Sequence, residues 1–184
     1  MALPDQGMFD LGGKVVLVTG AAQGLGKAVA EACAQQGAVV IIVDVEDQLA
    51  QQVASEIQQA TGQSVTAHCC DVRCTDQVQE LVATVITQHD RIDVLVNNAG
   101  IHRRVDPLDI SAADVQAIFD VNLVGCLNMA SAVGKVMIQQ QAGSIINVSA
   151  LGGGVIGLGR GGSVYGMTKG GLISLTRDLA AEWG

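Results

Sequence analysis

The chain has 184 residues, of which 49% are apolar and only 2% aromatic, with 23 glycines and a formal net charge of −8. This length suits one well-buried domain, and the aliphatic, glycine-rich composition favours an α/β core over a sandwich built on aromatic side chains. The acidic balance offers no basic surface to track a phosphate backbone, so nucleic acid is not an expected partner.

Alternating segment types indicate the fold. Apolar runs rich in valine and isoleucine predict strands near residues 14–19, 38–43, 64–69, 92–96 and 143–148. Amphipathic stretches predict helices near residues 24–36, 46–60, 75–89, 111–138 and 165–182. The strand runs show little polar alternation, as expected where helices cover both faces. We therefore predict an α/β fold, a doubly wound parallel sheet forming one domain over residues 1–184.

The N-terminus and the cysteines bear on the compartment. Asp5 and Asp10 stand where a signal peptide carries positive charge, and no apolar run approaches the roughly 18 residues of a membrane span. The five cysteines follow no paired framework, and adjacent cysteines on a strand point to opposite faces, so structural thiols are expected rather than a metal site at His68, Cys69, Cys70 and Cys74. A cytoplasmic protein without metal or membrane partner is the expectation.

A glycine loop follows the first predicted strand and opens the first predicted helix. It reads Thr19-Gly20-Ala21-Ala22-Gln23-Gly24-Leu25-Gly26. Glycines let backbone N–H groups approach a pyrophosphate, and a helix N-terminus adds unpaired donors and a positive dipole end. The loop is either a dinucleotide cradle or an ordinary tight turn between strand and helix.

An acidic residue, Asp44, ends the second predicted strand about 20 residues past this loop, where a dinucleotide's ribose hydroxyls are held. Its charge would repel a 2′-phosphate, and Gln23 adds no basic group to receive one. The pattern favours NAD over NADP. An acidic strand end without any ligand is the alternative.

Three polar stretches follow the later strands at the edge where parallel sheets bind ligands. They are Asp71-Val72, Asn97-Asn98-Ala99-Gly100 and Asn147-Val148-Ser149-Ala150. Downstream, Tyr165 and Lys169 are four residues apart on a predicted helix, so their side chains share a face. A nearby ammonium favours the phenolate, which suits Tyr165, the only tyrosine, to proton exchange with an alcohol or carbonyl. An exposed helical pair is the alternative.

In combination these motifs resemble the short-chain dehydrogenase/reductase family over nearly the whole chain. The resemblance implies a Rossmann-like fold and NAD-dependent oxidation or reduction of a small alcohol or ketone. It further implies that Tyr165 is the general acid/base, that Lys169 holds the nicotinamide ribose and lowers the tyrosine pKa, and that Asn122 anchors a water in a proton relay. The cofactor would be bound by Gly20, Gln23, Gly24, Leu25, Gly26, Asp44, Asp71, Val72, Asn98, Ala99 and Gly100, together with Tyr165 and Lys169.

The sequence departs from the family at the serine that polarises the substrate carbonyl. That serine usually stands three residues after the asparagine of the fifth strand, where this chain has Ala150. Ser149 is one residue earlier and is our candidate, although a one-residue slip on a strand reverses the face. Ser163, or no hydroxyl at all, is the alternative. The intervening glycine-rich stretch, residues 152–162, is either a binding loop or a poorly ordered one.

A second departure is that family members usually continue through another strand, a helical lid and a final strand. The expectation is therefore a truncated form of a longer protein, or a chain whose sheet edge is completed in another way. By resemblance the helices near 111–138 and 165–182 form the faces of a homodimer or homotetramer. Arg103 and Arg104, near the expected pocket mouth, either meet an anionic substrate or are solvated surface charge. The rival function is a non-catalytic dinucleotide-binding protein or an inactive fragment of such an enzyme.

Overall fold

A computed structural model describes residues 9–104, 106–151, 156 and 161–184. Its sheet has five parallel strands in the order β3-β2-β1-β4-β5. The strands are β1 (Val15–Thr19), β2 (Val39–Asp44), β3 (Val65–Cys69), β4 (Val94–Asn97) and β5 (Ser144–Asn147). The predicted strands and the single α/β domain are confirmed. Most of the predicted glycine-rich loop, residues 152–155 and 157–160, lies outside the described part.

Helices alternate with the strands as predicted. They are α1 (Gly24–Gln35), α2 (Asp47–Thr61), α3 (Thr75–His89), α4 (Ala112–Phe119), α5 (Gly125–Gln140) and α6 (Ser163–Trp183). A π-helical turn, Asp120–Val124, joins α4 to α5. One apolar cluster lies between the sheet and α3 and α5, and a second lies between the sheet and α1 and α2. The side chains of β1 are buried throughout, because helices cover both faces of the sheet.

The strand order reverses next to β1, and this reversal positions the site. The chain passes from β1 to β2 and β3 on one side, and then crosses to β4 on the other side of β1. Loops that leave β1 and β4 therefore diverge and open a crevice at the carboxyl end of the sheet. The glycine loop follows β1, and the Asn98-Ala99-Gly100 stretch follows β4, so both line this crevice.

The long helical run Ala112–Gln140 corrects the expectation that no apolar stretch approaches the length of a membrane span. The π-helical turn makes α4 and α5 continuous, and within the described residues this run is long and apolar enough to cross a membrane by length and composition. In the fold it packs on the sheet instead. Met129 and Val133 are fully buried in the core, so the run serves as a core helix.

A carboxylate fastens the amino ends of β1 and β4. Asp93, which is 8% exposed, accepts hydrogen bonds from the backbone N–H of Val15 at 2.9 Å and from Arg91, and it lies 3.5 Å from the Lys14 ammonium. Burial raises the pKa of Asp93, but the Arg91 and Val15 hydrogen bonds and the charges of Arg91 and Lys14 outweigh it and lower the pKa. The ionised form is therefore favoured by folding.

Replacing Asp93 with asparagine should lower the free energy of unfolding at neutral pH by about 2 kcal/mol, the scale of a hydrogen-bonded charge. Because folding lowers this pKa, the contribution is present above the unfolded value of about 3.9 and disappears as pH falls through the lower folded value. Urea unfolding at neutral and acidic pH should show the two proteins converging in acid. Glu80→Gln, on the exposed surface of α3, is the control. A difference independent of pH would contradict the account.

Candidate active site

The glycine loop is shaped by backbone contacts that no larger residue permits. Gly20 has a φ of 63°, and a Cβ on it would lie 2.8 Å from the Cα of Ala99. A Cβ on Gly26 would lie 2.2 Å from the Gly20 carbonyl oxygen and 2.6 Å from Nδ2 of Asn98. At Gly24, with a φ of 58°, the equivalent space is open among the described atoms. The loop thus packs tightly on β4's loop and leaves its outer side accessible.

Gly26→Ala should destabilise the fold by about 2 kcal/mol, the scale of an overpacked site, since the clash is with backbone. It should also weaken dinucleotide binding, because the loop must shift. Gly62→Ala is the control, since Gly62 ends α2 with a φ of 74° and has open space around it. Thermal melts with and without NAD⁺ measure both effects. Equal NAD⁺-induced shifts in the two variants would count against the loop as the cradle.

Asp44 holds the glycine loop in place. Its carboxylate accepts a hydrogen bond from the backbone N–H of Ala22 at 2.9 Å and another from Glu46 at 3.2 Å. Asp44 is half-buried, whereas Gln23 and Leu25 are exposed beyond it. The acidic strand end predicted from the sequence therefore lies directly beside the loop, with its negative charge at the crevice.

Asn98 joins the two loops of the crevice. Its amide donates to the carbonyl oxygens of Thr19 and Gly20, each at 3.0 Å. The hydroxyl of Thr19 in turn accepts from the backbone N–H groups of Asn98 and Ala99, each at 3.0 Å. This reciprocal set fixes the end of β4 against the end of β1. The sequence did not identify Thr19, which carries no signal beyond its place before the first glycine.

Asp71 and Val72 follow β3 at the same edge of the sheet. The Asp71 carboxylate pairs with Arg73 at 2.6 Å, and the Arg73 hydrogen bonds lower its pKa more than burial raises it. Val72 is buried at 7% exposure, and its carbonyl accepts from the amide of Asn128 on α5 at 3.0 Å. The two residues form the far end of the crevice, next to the loop that follows β2.

Asn122 lies in the π-helical turn and is fully buried. Its Oδ1 accepts from the backbone N–H of Ile101 at 2.8 Å, and its Nδ2 donates to the Ile101 carbonyl at 3.0 Å. The same Nδ2 donates to the hydroxyl of Thr168 on α6 at 3.2 Å. Asn122 therefore couples three elements: the long helical run, the loop after β4 and the helix that carries Tyr165.

Tyr165 and Lys169 lie one turn apart on α6 and share a face as predicted. The Lys169 ammonium lies 5.6 Å from the centroid of the Tyr165 ring. Lys169 is 3% exposed, and its Nζ donates to the Val148 carbonyl at 2.6 Å. Burial lowers the pKa of this ammonium, and nearby Cys126 opposes the effect only in part. A buried cation therefore lies beside the phenol ring.

Thr168 lies between Tyr165 and Lys169 in the chain and is bonded to the helical turn that begins at Tyr165. Its hydroxyl donates to the Tyr165 carbonyl at 2.8 Å and receives the Asn122 hydrogen bond. It is fully buried. No sequence pattern distinguishes it, since a threonine inside a helix commonly bonds to the preceding turn.

Among the described residues, neither serine candidate is hydrogen-bonded to the phenol of Tyr165. Ser149 donates its hydroxyl proton to the Lys169 carbonyl at 2.8 Å, and Ser163 is exposed at the first turn of α6. Ala150 occupies the position expected for the polarising hydroxyl. A hydroxyl carries one proton, so in this arrangement Ser149 has none to give to a substrate.

The cofactor-side residues and the tyrosine helix are contiguous. Gly100 is the junction: a Cβ on it would lie 3.3 Å from Oδ1 of Asn122 and 3.7 Å from Nζ of Lys169. The crevice thus runs from Asp44 and the glycine loop, past Gly100, to Tyr165. A glycine cradle, a helix N-terminus and a carboxylate at the strand end fit the pyrophosphate and ribose of a nicotinamide dinucleotide.

Comparisons with known proteins match this geometry. The family model of short chain dehydrogenases covers residues 14–184. A 3-oxoacyl-acyl-carrier-protein reductase of Thermotoga maritima is 41% identical over 78% of this chain and 58% of its own length. A D-threitol dehydrogenase of Mycolicibacterium smegmatis is 36% identical over 96% of this chain and 66% of its own length. This chain therefore spans less than two thirds of either relative.

Solved structures of other proteins have the same fold as this chain. A short-chain type dehydrogenase/reductase from Mycobacterium marinum superimposes with a TM-score of 0.90 at 35% identity, over 95% of this chain and 70% of its own. An NAD⁺-bound xylitol dehydrogenase superimposes with a TM-score of 0.89 at 29% identity, over 94% of this chain and 65% of its own. The crevice, the motifs and these similarities together show that the chain belongs to the short-chain dehydrogenase family of oxidoreductases.

Proposed function

We propose that this protein is an NAD(H)-dependent oxidoreductase that interconverts a secondary alcohol and a ketone. The observation that carries the proposal is the placement of Tyr165 and the buried Lys169 at the end of a crevice that begins at the glycine loop. Proton exchange at a substrate oxygen and hydride exchange at the adjacent carbon require these two sites to adjoin. The NAD⁺-bound xylitol dehydrogenase relative supports a nicotinamide cofactor.

Tyr165 is the proton-transferring group in this proposal. In the oxidation direction its phenolate accepts the hydroxyl proton of the alcohol, and in reduction its phenol returns a proton to the oxygen. The bound nicotinamide dinucleotide supplies or accepts the hydride. Lys169 places its ammonium beside the phenol ring and, in the family's manner, is proposed to hold the nicotinamide ribose. Asn122 fixes the loop at Ile101 against α6 and, in the family's manner, is proposed to hold a water that relays the proton.

For the cofactor, we propose NAD rather than NADP. Asp44 would bind the ribose hydroxyls beside the adenine and repel a 2′-phosphate, since its carboxylate lies at the crevice. Gly20, Gly24 and Gly26 would receive the pyrophosphate with the exposed Gln23 and Leu25 at its rim. Asp71 and Val72 would contact the adenine, and Asn98, Ala99 and Gly100 the middle of the cofactor.

Asp44→Asn should reduce the preference for NAD⁺ over NADP⁺ on the order of tenfold, equivalent to about 1.4 kcal/mol. The single carbonyl oxygen of asparagine can still accept the hydrogen bond from the Ala22 backbone, although the one from Glu46 is lost, so the contact with the loop is kept while the charge is removed. Glu46→Gln, one carboxylate farther along the chain and exposed, is the matched control. Dissociation constants for the two cofactors measure the effect. If the ratio of the NAD⁺ and NADP⁺ dissociation constants were unchanged in Asp44→Asn, this residue would not determine which cofactor binds.

The function is tested by incubating the protein with NAD⁺ and a panel of secondary alcohols and following NADH absorbance. We expect at least one alcohol to be oxidised, and the matching ketone to be reduced with NADH. NAD⁺ binding without hydride transfer to or from any member of the panel would reject the proposed enzymatic activity.

The alternative is a non-catalytic dinucleotide-binding protein. It is favoured by one observation: Ala150 stands where a polarising hydroxyl is expected, and the Ser149 hydroxyl is bound to the Lys169 carbonyl. This alternative predicts NAD⁺ affinity with no turnover of any alcohol. One good substrate would end it.

We further propose a cytoplasmic homodimer or homotetramer that acts on a small molecule, as is typical of the family. Apolar side chains are exposed on the two helices expected at the interfaces, namely Leu127 and Ile138 on α5 and Met167 on α6. Their burial by a second copy would remove apolar surface from water.

A further inference from the structure

The chemistry proposed for the crevice requires a second hydrogen-bond donor at the substrate oxygen. When hydride adds to a ketone carbon, negative charge develops on the oxygen, and donors aimed at that oxygen lower the barrier. Tyr165 is one such donor. The stretch 150–162 contains no hydroxyl residue, and Arg160 is its only side chain with a strong donor. The Ser149 hydroxyl already donates its hydrogen bond to the Lys169 carbonyl.

His102 is the side chain in contact with the reactive phenol. The imidazole and phenol rings meet edge to face, with centroids 4.8 Å apart and planes at 87°. His102 is exposed, so its ring is accessible from outside while it packs against Tyr165. Within the described residues no hydrogen bond occupies its ring nitrogens. A neutral imidazole carries one N–H donor, which is therefore available to a ligand.

The backbone that carries His102 is held in place by the site itself. Asn122 binds both the N–H and the carbonyl of Ile101, the residue immediately before His102. The same asparagine is bonded to Thr168, three residues after Tyr165 on α6. One buried side chain thus holds the backbone next to His102 against the helix that carries Tyr165.

Several donors near the phenol already donate hydrogen bonds to other groups. The Arg103 guanidinium pairs with Asp114, and Ser111 caps the same helix by accepting the Asp114 N–H. The Thr168 hydroxyl donates to the Tyr165 carbonyl. Within the described residues the Arg104 and Ser163 side chains also have donors without a hydrogen bond, but the His102 ring is the one that packs edge to face on the phenol.

We propose that His102 donates an N–H hydrogen bond to the substrate oxygen and so takes the polarising role that a hydroxyl near Ala150 would otherwise fill. The inference rests on the proposed function and names a residue of the same site. In the reduction direction, bound NADH would supply the hydride for the new C–H bond, and the C=O π pair would move to oxygen. Tyr165 then transfers its proton to that oxygen. NADH is oxidised and the ketone reduced, while His102 keeps its proton.

The first test does not require turnover. The chain has three histidines, His68, His89 and His102, so ¹⁵N-histidine labelling gives few resonances, and His102→Gln assigns the relevant one. Isobutyramide, whose carbonyl cannot be reduced by hydride here, is added to the NADH complex as the carbonyl probe. We expect the His102 resonance to move and those of His68 and His89 to stay. An unmoved His102 resonance overturns the proposal.

The second test uses the best alcohol of the panel. His102→Ala should lower kcat on the order of 10²-fold, the scale of losing one oxyanion donor, with the dissociation constant of NADH unchanged. His102→Gln should recover part of the loss because its amide also donates. His89→Gln, at the end of α3, is the matched control and should retain full activity.

Two outcomes separate this inference from the proposed function. If His102→Ala turns over like the unmodified protein, or Ser149→Ala loses more activity than His102→Ala, the inference fails and the oxidoreductase stands. If the unmodified protein binds no NADH, the proposed function fails and the inference falls with it.

Discussion

Tyr165→Phe is expected to lower turnover on the order of 10³-fold, in the range of general acid/base catalysis, while leaving NAD⁺ binding and the melting temperature nearly unchanged. The substitution removes only the hydroxyl. The ring keeps its contacts with His102 and Lys169, and no described hydrogen bond that holds α6 runs through the phenol oxygen.

The measurement is kcat with the best alcohol together with the NAD⁺ dissociation constant. Because Tyr165 is the only tyrosine, the phenolate absorbance of the unmodified protein reports this one residue, and it should vanish in the variant. Arg177→Gln, exposed farther along α6, is the control. Retained turnover in Tyr165→Phe would transfer the acid/base role to another group.

Asn122→Ala should produce the second large effect. It removes three hydrogen bonds from a fully buried position and leaves the Ile101 N–H and carbonyl without their partner. Buried polar groups left unpaired cost about 1 to 3 kcal/mol each, so we expect a loss of about 3 kcal/mol in the free energy of unfolding. Turnover should fall as well, because the loop carrying His102 loses its fixed position against α6.

Urea unfolding and kcat measure these two effects separately. Gln116→Ala is the matched control, since Gln116 is exposed on the same helical run and bonds only to Asp120. We expect the control to change stability by less than about 0.5 kcal/mol. An Asn122→Ala protein with full stability would mean that the π-helical turn, rather than this side chain, holds the loop.

The central strands β1, β2 and β4 could be predicted from the sequence because they are buried on both faces. Runs such as Val39–Val43 then lack polar alternation, and each is followed by a helix of clear amphipathic period. The helix start at Ser111 was also readable, since its hydroxyl accepts from the Asp114 N–H as a cap requires. These features depend on local sequence.

The supports of the candidate site could not be predicted in the same way. The π-helical turn at Asn122 has no distinctive composition, and its role appears only when Ile101 and Thr168 are brought beside it. The Ser149 hydroxyl could have faced either side of the fifth strand, and its bond to the Lys169 carbonyl depends on how α6 packs. Contacts between distant segments decide these positions.

His102 illustrates the same limit. In the sequence it precedes Arg103 and Arg104, which the pattern predicts to be either charges for an anionic substrate or solvated surface charge. In the fold, Arg103 pairs with Asp114, and the histidine is the residue that touches the phenol. Ring contacts between a loop and a helix more than 60 residues apart leave no periodic signal.

The central claim, that these 184 residues form an NAD site, is tested most directly by thermal melts of the purified chain in NAD⁺ and in NADP⁺. A ligand that binds only the folded state raises its stability, by about 2.7 kcal/mol at a hundred times its dissociation constant. The account predicts a cooperative melt that shifts upward with NAD⁺ and much less with NADP⁺. A cooperative melt that neither cofactor moves would contradict it.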